Sequence, residues 1–196
     1  MSSIENKSGV SMEAYLAYDD SIDGKAEYYD GTVVDWQGAS IDHCMINSNL
    51  IFLIHSALMD TGFRTHANRL KVSLPATNSI VYPDLFILKH PTEIAPIRPK
   101  ENDIVCNPVL IVEILAHETA YDDLFTKMNC YFQLGSLREY LVVDQYQPAA
   151  RIFRLESGNW ITTNIAGMDS EIHLHSVNLH IPMSGIYRHV DFDLEE

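Results

Sequence analysis

The chain has 196 residues, 46% of them hydrophobic, and this length and composition suit one globular domain with a full core. Its formal net charge of −14, with 13 Lys and Arg against 27 Asp and Glu, argues against a general nucleic-acid binder, because phosphate binding depends on basic side chains. No apolar run is long enough to span a membrane, and the N-terminus lacks the pattern of a signal peptide. The three scattered cysteines have no CxxC spacing, so we expect reduced thiols in a cytoplasmic protein.

The N-terminal part of the chain predicts a tail, a short helix and a β-hairpin. Residues 1–10 form the tail, which we expect to be flexible, and residues 11–18 form the helix. Residues 25–29 and 32–36 flank the dipeptide Asp30-Gly31, which is a strong signal for a two-residue hairpin turn.

A long helix is predicted next. Ser40 is its N-cap, the helix runs to about residue 59, and Gly62 follows its end. Residues at helical spacing predict a buried face made of His43, Ile46, Asn47, Leu50, Ile54 and Leu58.

The middle of the chain predicts three strands. They cover residues 70–74, 81–88 and 109–115, and a loop with three prolines over residues 90–103 separates the second from the third.

A second helix and further strands complete the prediction. The helix opens at residues 119–123 and ends near Gly135, with a core stripe of Leu124, Met128, Tyr131 and Phe132. The later strands are expected at residues 139–144, 150–155, 160–164, 172–174 and 177–181. The pattern predicts one α+β domain over residues 1–196, with a mixed sheet and helices packed on it.

Two acids lie within the predicted apolar strands. Asp84 belongs to residues 81–88, and Glu113 lies in the run NPVLIVEIL of residues 107–115. A bare carboxylate is costly to bury unless a cation meets it. Two carboxylates on neighbouring strands are the donors that a divalent-metal hydrolase needs, because the cation activates water and neutralises the leaving oxygen. The alternative is that each acid pairs with a buried Arg or Lys.

The motifs around these acids resemble those of the PD-(D/E)XK nuclease superfamily, and within it the Uma-type putative restriction endonucleases. Asp84 follows a proline, as in the family's PD, and Glu113 matches the second acid. Leu115 stands where the usual lysine would be, but Uma-type proteins carry that lysine on the next helix, here Lys127. The resemblance spans roughly residues 25–185, and its other matching segments are EYYDG (27–31), YD (121–122), Tyr131 and SLREYLVVDQ (136–145).

The resemblance implies a restriction-endonuclease-like fold, a divalent metal and phosphodiester hydrolysis. Asp84, Glu113 and the backbone carbonyl of Ile114 would ligate Mg²⁺ or Mn²⁺. DNA is then the expected partner, although the net charge of −14 disfavours it. Because two sites most simply cut the two strands of a duplex, we also expect a homodimer.

The resemblance assigns roles to three more residues, and each has a plainer alternative. Lys127 would orient or deprotonate the attacking water or stabilise the transition state, unless it only pairs with Asp123 on the helix surface. Glu27 would complete the metal shell as a catalytic acid, unless it faces solvent. His43 would touch the substrate phosphate, unless it is a satisfied core histidine.

The segment after the second acid departs from the family pattern. The family continues with a Ser-Pro-Ser-Thr-like stretch, whereas this chain has AHET at residues 116–119, so His117 and Glu118 are candidates to replace those contacts. His173 and His175, two apart on a strand, are a weaker candidate for a metal site.

Two other functions stay open from the sequence. The acidic charge favours an inactive or repurposed nuclease fold that serves as a scaffold, whereas the intact Asp84, Glu113 and Lys127 oppose it. The same charge would suit a metal-dependent hydrolase of a small phosphoester better than a protein acting on duplex DNA.

Overall fold

The computed structural model describes residues 8–36, 38–67, 69–97, 103–115 and 120–192, with the backbone alone for residues 120–124. Within these ranges the α-helices are α1 (Met12–Ser21), α2 (Ile41–Leu58), α3 (Ala120–Tyr131) and α4 (Met183–Ile186). The strands are β1 (Ala26–Tyr29), β2 (Thr32–Asp35), β3 (Phe63–Ala67), β4 (Lys71–Leu74), β5 (Ser79–Val81), β6 (Leu85–Lys89), β7 (Ile104–Val105), β8 (Pro108–Leu115), β9 (Glu139–Asp144), β10 (Ala149–Glu156), β11 (Asn159–Ala166), β12 (Glu171–Leu174) and β13 (Leu179–Pro182).

The described strands form two larger sheets and a two-stranded ribbon. The first sheet has the order β2-β1-β5-β4-β7, and the second has the order β11-β10-β9-β8-β6-β3. In the second sheet β8 and β9 are parallel, while β6 pairs with β8 in the antiparallel sense. The α+β class with mixed strand directions is confirmed, but the strands divide between separate sheets where the sequence predicted one.

The hairpin and the long helix form as predicted. Asp30 and Gly31 both have positive φ, 42° and 94°, as the tight turn between β1 and β2 requires. The Ser40 side chain caps α2 by accepting a hydrogen bond from the His43 amide at 3.1 Å. Every residue predicted for the inner face of α2 is buried.

The predicted strand over residues 81–88 is wrong, because the chain divides it between the two sheets. Strand β5 ends at Val81 in the first sheet, and β6 begins at Leu85 in the second. Pro83 has no amide hydrogen to give to a sheet, so a break here is natural. Asp84 therefore lies in the link between the sheets, directly before β6.

Strand β8 sets the direction of Glu113. Successive side chains of a strand point to opposite faces. Val112 and Ile114 belong to the core beneath α2, whereas Ile111 belongs to the core that includes Tyr131 of α3. Glu113 has the same parity as Ile111, so its carboxylate points toward α3.

The N-terminal segment is held by the hairpin. The Val10 amide donates to the Gly31 carbonyl at 2.9 Å, and the Tyr28 hydroxyl donates to the Val10 carbonyl at 3.0 Å. Helix α1 then begins at Met12 and ends at Ser21, three residues later than predicted. Residues 1–7 of the predicted tail lie outside the described residues.

A buried ion pair joins α1 to the first sheet. The Lys71 Nζ lies 2.7 Å from Asp19 Oδ2, and their side chains are only 5% and 2% exposed. Asp19 also accepts hydrogen bonds from the Ala26 amide at 3.0 Å and the Tyr82 hydroxyl at 2.8 Å. The pair therefore fixes the start of β1 and the segment that leads to Asp84.

The C-terminal strands agree with the prediction to within a few residues. Strand β9 has the predicted bounds, and β10 and β11 form the predicted hairpin around Ser157 and Gly158. The predicted helix before them is confirmed as α3, although its first turn begins next to residues 116–119, which lie outside the description.

The structure also shows the state of the cysteines and the length of the helices. Cys44, Cys106 and Cys130 are all free thiols, as predicted. In the described part of the chain no helix is both long and apolar enough to cross a membrane.

Candidate active site

Five elements bring the predicted site residues together. Glu27 comes from β1, His43 from the first turn of α2, Asp84 from the link before β6, Glu113 from β8 and Lys127 from α3. We call Glu27, Asp84, Glu113 and Lys127 the acid–lysine cluster.

Lys127 binds two of the acids. Its Nζ lies 3.2 Å from Glu27 Oε1 and 3.3 Å from Glu113 Oε1. The side chain is 19% exposed, so it points inward and an exposed pair with Asp123 does not explain its position. Burial lowers the pKa of Lys127, but Glu113, Glu27 and Asp84 raise it by more, so the ammonium group keeps its proton at neutral pH.

Glu113 is buried in a site that is crowded with negative charge. Its Oε1 accepts a hydrogen bond from the Tyr131 hydroxyl at 2.6 Å. Burial raises the pKa of Glu113 to about 7; Lys127 opposes this rise, and the charges of Asp84 and Glu27 add to it. The alternative partner for a buried acid, a lysine, is present as well.

This raised pKa predicts a pH-dependent stability of the metal-free protein. The pKa of Glu113 is about 7 in the fold against an ordinary 4.5, so folding favours the protonated acid. Its contribution to stability is complete below pH 4.5 and is lost as the pH rises through 7. As the pH rises through this range, the free energy of unfolding of Glu113→Gln should therefore fall by about 1–3 kcal/mol less than that of wild type. Urea unfolding in the presence of a chelator measures this difference.

The control for that measurement is Glu13→Gln, which changes an exposed glutamate on α1. This variant should follow the wild-type pH profile. A large loss of stability in Glu113→Gln at every pH would instead mean that the ion pair with Lys127 is a structural requirement.

Asp84 is held by His43 and by the backbone of β8. The His43 Nε2 lies 3.1 Å from Asp84 Oδ1, and the Ile114 amide donates to Asp84 Oδ2 at 2.8 Å. Burial raises the pKa of Asp84, but the hydrogen bond and charge of His43 outweigh burial and lower it, so Asp84 is ionised. Asp84 thus carries a fixed negative charge beside Glu113.

His43 contacts Asp84, and the structure gives it no other side-chain partner in the described residues. Burial lowers the pKa of His43, but Asp84 and Glu113 raise it by more. Its Nδ1 is buried without a hydrogen-bond partner in the described chain, so His43 is not a satisfied core histidine. Its predicted contact with a phosphate stays a prediction.

Glu27 faces the site and not solvent. Its Oε1 accepts from the Tyr82 amide at 2.9 Å and its Oε2 accepts from the Tyr29 hydroxyl at 2.7 Å. These bonds fix the carboxylate that Lys127 contacts. The solvent-facing alternative is therefore wrong, since the side chain is 14% exposed.

The acids suit a divalent cation, although the described residues do not form a complete metal site by themselves. In the described ranges no three His, Cys, Asp or Glu side chains are arranged to hold a metal. Mg²⁺ needs only one or two carboxylates, because water and substrate phosphates supply its other ligands. Asp84 and Glu113 are two carboxylates whose charges repel each other, and a bound cation would relieve this repulsion. The predicted contact of the Ile114 carbonyl stays a prediction.

The other candidates from the sequence do not join this cluster. The rings of His173 and His175 pack with their centroids 3.8 Å apart, and His173 also stacks on His180 at 3.9 Å. Among the described side chains no group that includes these histidines is arranged to hold a metal, so the structure gives this weaker candidate no support. His117 and Glu118 lie outside the described residues.

Sequence reasoning missed Lys25, which lies beside the cluster. The charges of Asp84 and Glu27 raise its pKa, although burial, the largest effect, lowers it. The signal was available, because Lys25 is two residues before Glu27 and alternation puts both on one face of the hairpin.

The described helices and strands define an α+β protein. The fold is similar to that of a putative nuclease belonging to DUF820 from Anabaena variabilis ATCC 29413, with a TM-score of 0.67 and 16% identity. The similarity covers 85% of this chain and 91% of that one. At this level of identity the likeness establishes the fold.

The sequence relatives then give the family. The profile of the Uma2 family, described as "Putative restriction endonuclease", matches residues 12–184, and the chain therefore belongs to that family. Uncharacterized protein sll1609 from Synechocystis sp. is 26% identical over 163 residues, which are 81% of this chain and 88% of that protein. Uncharacterized protein slr1290 from the same organism is 26% identical over 184 residues, 93% of this chain and 94% of the relative. The description of the family supports a nuclease.

Proposed function

We propose that the protein is a metal-dependent endonuclease that hydrolyses phosphodiester bonds of DNA. The observation that carries the proposal is the position of Lys127 within 3.3 Å of Glu113, in a cluster that also contains Asp84. Carboxylates for a hard cation and a lysine for developing charge are the groups that phosphodiester hydrolysis needs.

We assign a different role to each of the site residues. Asp84 and Glu113 would hold Mg²⁺ or Mn²⁺, which supplies activation of water and neutralisation of charge when bound. Lys127 keeps its proton, so we assign it to stabilising negative charge on the phosphate in the transition state. Glu27 positions Lys127, and His43 positions Asp84.

A cleavage assay tests this function together with metal binding. Wild-type protein should cut DNA at low salt with Mn²⁺, because the net charge of −14 makes binding weak and sensitive to salt. Asp84→Ala should bind Mn²⁺ much more weakly in calorimetry and lose cleavage, since a hard cation loses a charged oxygen ligand.

Asp60→Ala is the matched control. Asp60 is an exposed acid that follows the C-terminal end of α2, whereas His43 lies at the N-terminal end of this helix. It should bind Mn²⁺ and cut as wild type does. Equal Mn²⁺ affinity of wild type and Asp84→Ala would refute the metal assignment. Hydrolysis of a small phosphodiester without cleavage of DNA would favour the small-substrate alternative, and no hydrolysis at all would favour the scaffold.

We also propose that the protein acts as a homodimer through α2. Phe52 lies on the outer side of this helix, Met59 directly follows its last residue, and their side chains are 69% and 64% exposed. Light scattering should then give twice the chain mass of 22.2 kDa, and Phe52→Asp should give a monomer. Phe125→Asp, which changes an exposed phenylalanine of α3, is the control and should remain dimeric. A wild-type mass near 22.2 kDa at all concentrations contradicts the proposal.

A further inference from the structure

Lys25 and Trp36 lie on the same face of the hairpin as Glu27. The Trp36 amide donates to the Lys25 carbonyl at 2.9 Å, which extends the pairing of Ala26 with Asp35 by one step. Residues that pair directly across antiparallel strands project to the same side. Because Lys25 and Glu27 are two residues apart, their Cα atoms are about 7 Å apart along the strand, and both side chains face the site.

Lys25 is placed between two aromatic rings. Its Nζ lies 5.1 Å from the centroid of the Trp36 ring and 5.7 Å from that of Tyr82. Tyr82 also holds Glu27 through its backbone amide, so the aromatic pair adjoins the acid–lysine cluster directly. Trp36 is 51% exposed, and a large aromatic side chain that is open to solvent beside a catalytic cluster is available to a ligand.

The charges around Lys25 connect it to the same site. Burial, the largest effect, lowers the pKa of Lys25, and Arg69 and Lys127 lower it further, whereas the charges of Asp84 and Glu27 raise it and favour the ammonium form. Arg69 is exposed and lines a cavity of about 480 Å³ together with Tyr82, Lys71 and acids that include Asp19. Lys71 neutralises Asp19 at 2.7 Å, but Asp20 and Asp103 line the same cavity, so Lys25 and Arg69 bring positive charge to an otherwise acidic side of the site.

We propose that Lys25 and Trp36 bind one unpaired nucleotide of the substrate next to the cleaved bond, Lys25 through its phosphate and Trp36 through its base. This inference rests on the proposed nuclease function and adds the substrate class, which is single-stranded or locally unpaired nucleic acid. A base inside a duplex is stacked on both faces and cannot stack on Trp36, whereas an unpaired base can.

Stacking also explains how so acidic a protein binds a polyanion. Phosphate contacts require many cations, and the chain has 13 Lys and Arg against 27 acids. A base stacked on an aromatic ring adds affinity that does not depend on counterion release. An exposed tryptophan beside one lysine can therefore bind a single strand although the surface has little positive charge.

Trp36 provides its own spectroscopic reporter. The chain has two tryptophans, and Trp160 is stacked on Phe132 at 4.1 Å, so Trp160→Phe retains an aromatic contact and leaves Trp36 as the fluorophore. With Ca²⁺ in place of Mn²⁺ to prevent cleavage, short oligothymidylate should quench this fluorescence. An abasic oligomer of equal length should quench it much less, and so should a duplex.

Variants separate the base contact from the phosphate contact. Trp36→Ala should weaken binding of oligothymidylate between about 5-fold and about 150-fold, with Trp36→Phe between it and wild type. Lys25→Gln should reduce the slope of log affinity against log salt by about 0.7, as expected for one phosphate contact of a single strand. Lys89→Gln, at the far end of β6 from Asp84, is the matched control and should leave the slope unchanged.

Each opposite result overturns the inference. Equal quenching by the abasic oligomer excludes base stacking, equal quenching by the duplex excludes the preference for unpaired strands, and an unchanged slope in Lys25→Gln excludes the phosphate contact. Cleavage of duplex DNA by a protein whose Trp36→Ala variant cuts equally well would refute this inference and leave the nuclease function standing. Quenching by oligothymidylate without cleavage of any substrate would support the nucleotide contact and refute the proposed nuclease function.

Discussion

Replacing Lys127 by methionine is expected to slow DNA cleavage by about 100-fold to 1,000-fold while Mn²⁺ still binds. The ammonium group stabilises charge that develops in the transition state, so its loss lowers the rate more than it affects the ground state. Mn²⁺ should bind as tightly as in wild type or more tightly, because Lys127 contacts Glu113 and so opposes a cation there. Single-turnover cleavage and calorimetry measure the two quantities separately.

The matched control is Lys89→Met, which makes the same substitution at an exposed lysine. It should cut as fast as wild type. If Lys127→Met cuts at the wild-type rate, Lys127 has no role in the chemistry and the nuclease assignment loses its main support. If Lys127→Met loses Mn²⁺ binding as strongly as cleavage, then Lys127 organises the acids and does not act on the transition state.

The parts of the fold that sequence reasoning predicted well have local causes. The hairpin follows from the ability of Asp30-Gly31 to adopt positive φ, and α2 follows from the Ser40 cap and six apolar or buried positions at helical spacing. Neither feature needs information about distant parts of the chain.

The parts that it predicted poorly depend on pairing between distant segments. Strand β3 was missed because its sequence, FRTHA, has polar residues in the middle and shows no apolar alternation. It is a strand because it lies at the edge of the second sheet, where it pairs with β6 alone. The division of residues 81–88 between β5 and β6 likewise depends on which sheet each half joins. The apolar pattern is the same in both halves, so it does not reveal the division.

The candidate site shows the same difference. The positions of Asp84, Glu113 and Lys127 were named from a motif, and the fold places them together. The motif did not indicate that Tyr29 and Tyr82 fix Glu27, because side-chain hydrogen bonds of this kind leave no sequence periodicity. It also did not indicate the partner of Asp19. Lys71 lies on β4, far along the chain from Asp19 on α1, and resembles an ordinary surface lysine in the sequence.

That buried pair predicts the largest effect on stability. Lys71→Met should destabilise the protein by about 3–5 kcal/mol in urea unfolding, because it leaves the Asp19 carboxylate buried without a cation. A domain of this kind has about 5–15 kcal/mol of stability, so the variant should lose about a fifth of it or more. The Ala26 amide and the Tyr82 hydroxyl remain as partners of Asp19, but they bring no positive charge.

A double variant distinguishes the lost charge balance from lost packing. Asp19→Asn combined with Lys71→Met removes both charges and keeps an acceptor for the Ala26 amide, so it should be more stable than Lys71→Met alone. Lys89→Met again serves as the control for the substitution and should change stability little. If Lys71→Met loses less than about 1 kcal/mol of unfolding free energy, the pair contributes no more than an exposed ion pair does. That result would contradict its role in stabilising the fold. If the pair does hold the Tyr82 segment, Lys71→Met should also weaken Mn²⁺ binding, since Asp84 follows two residues after Tyr82 and depends on that segment for its position.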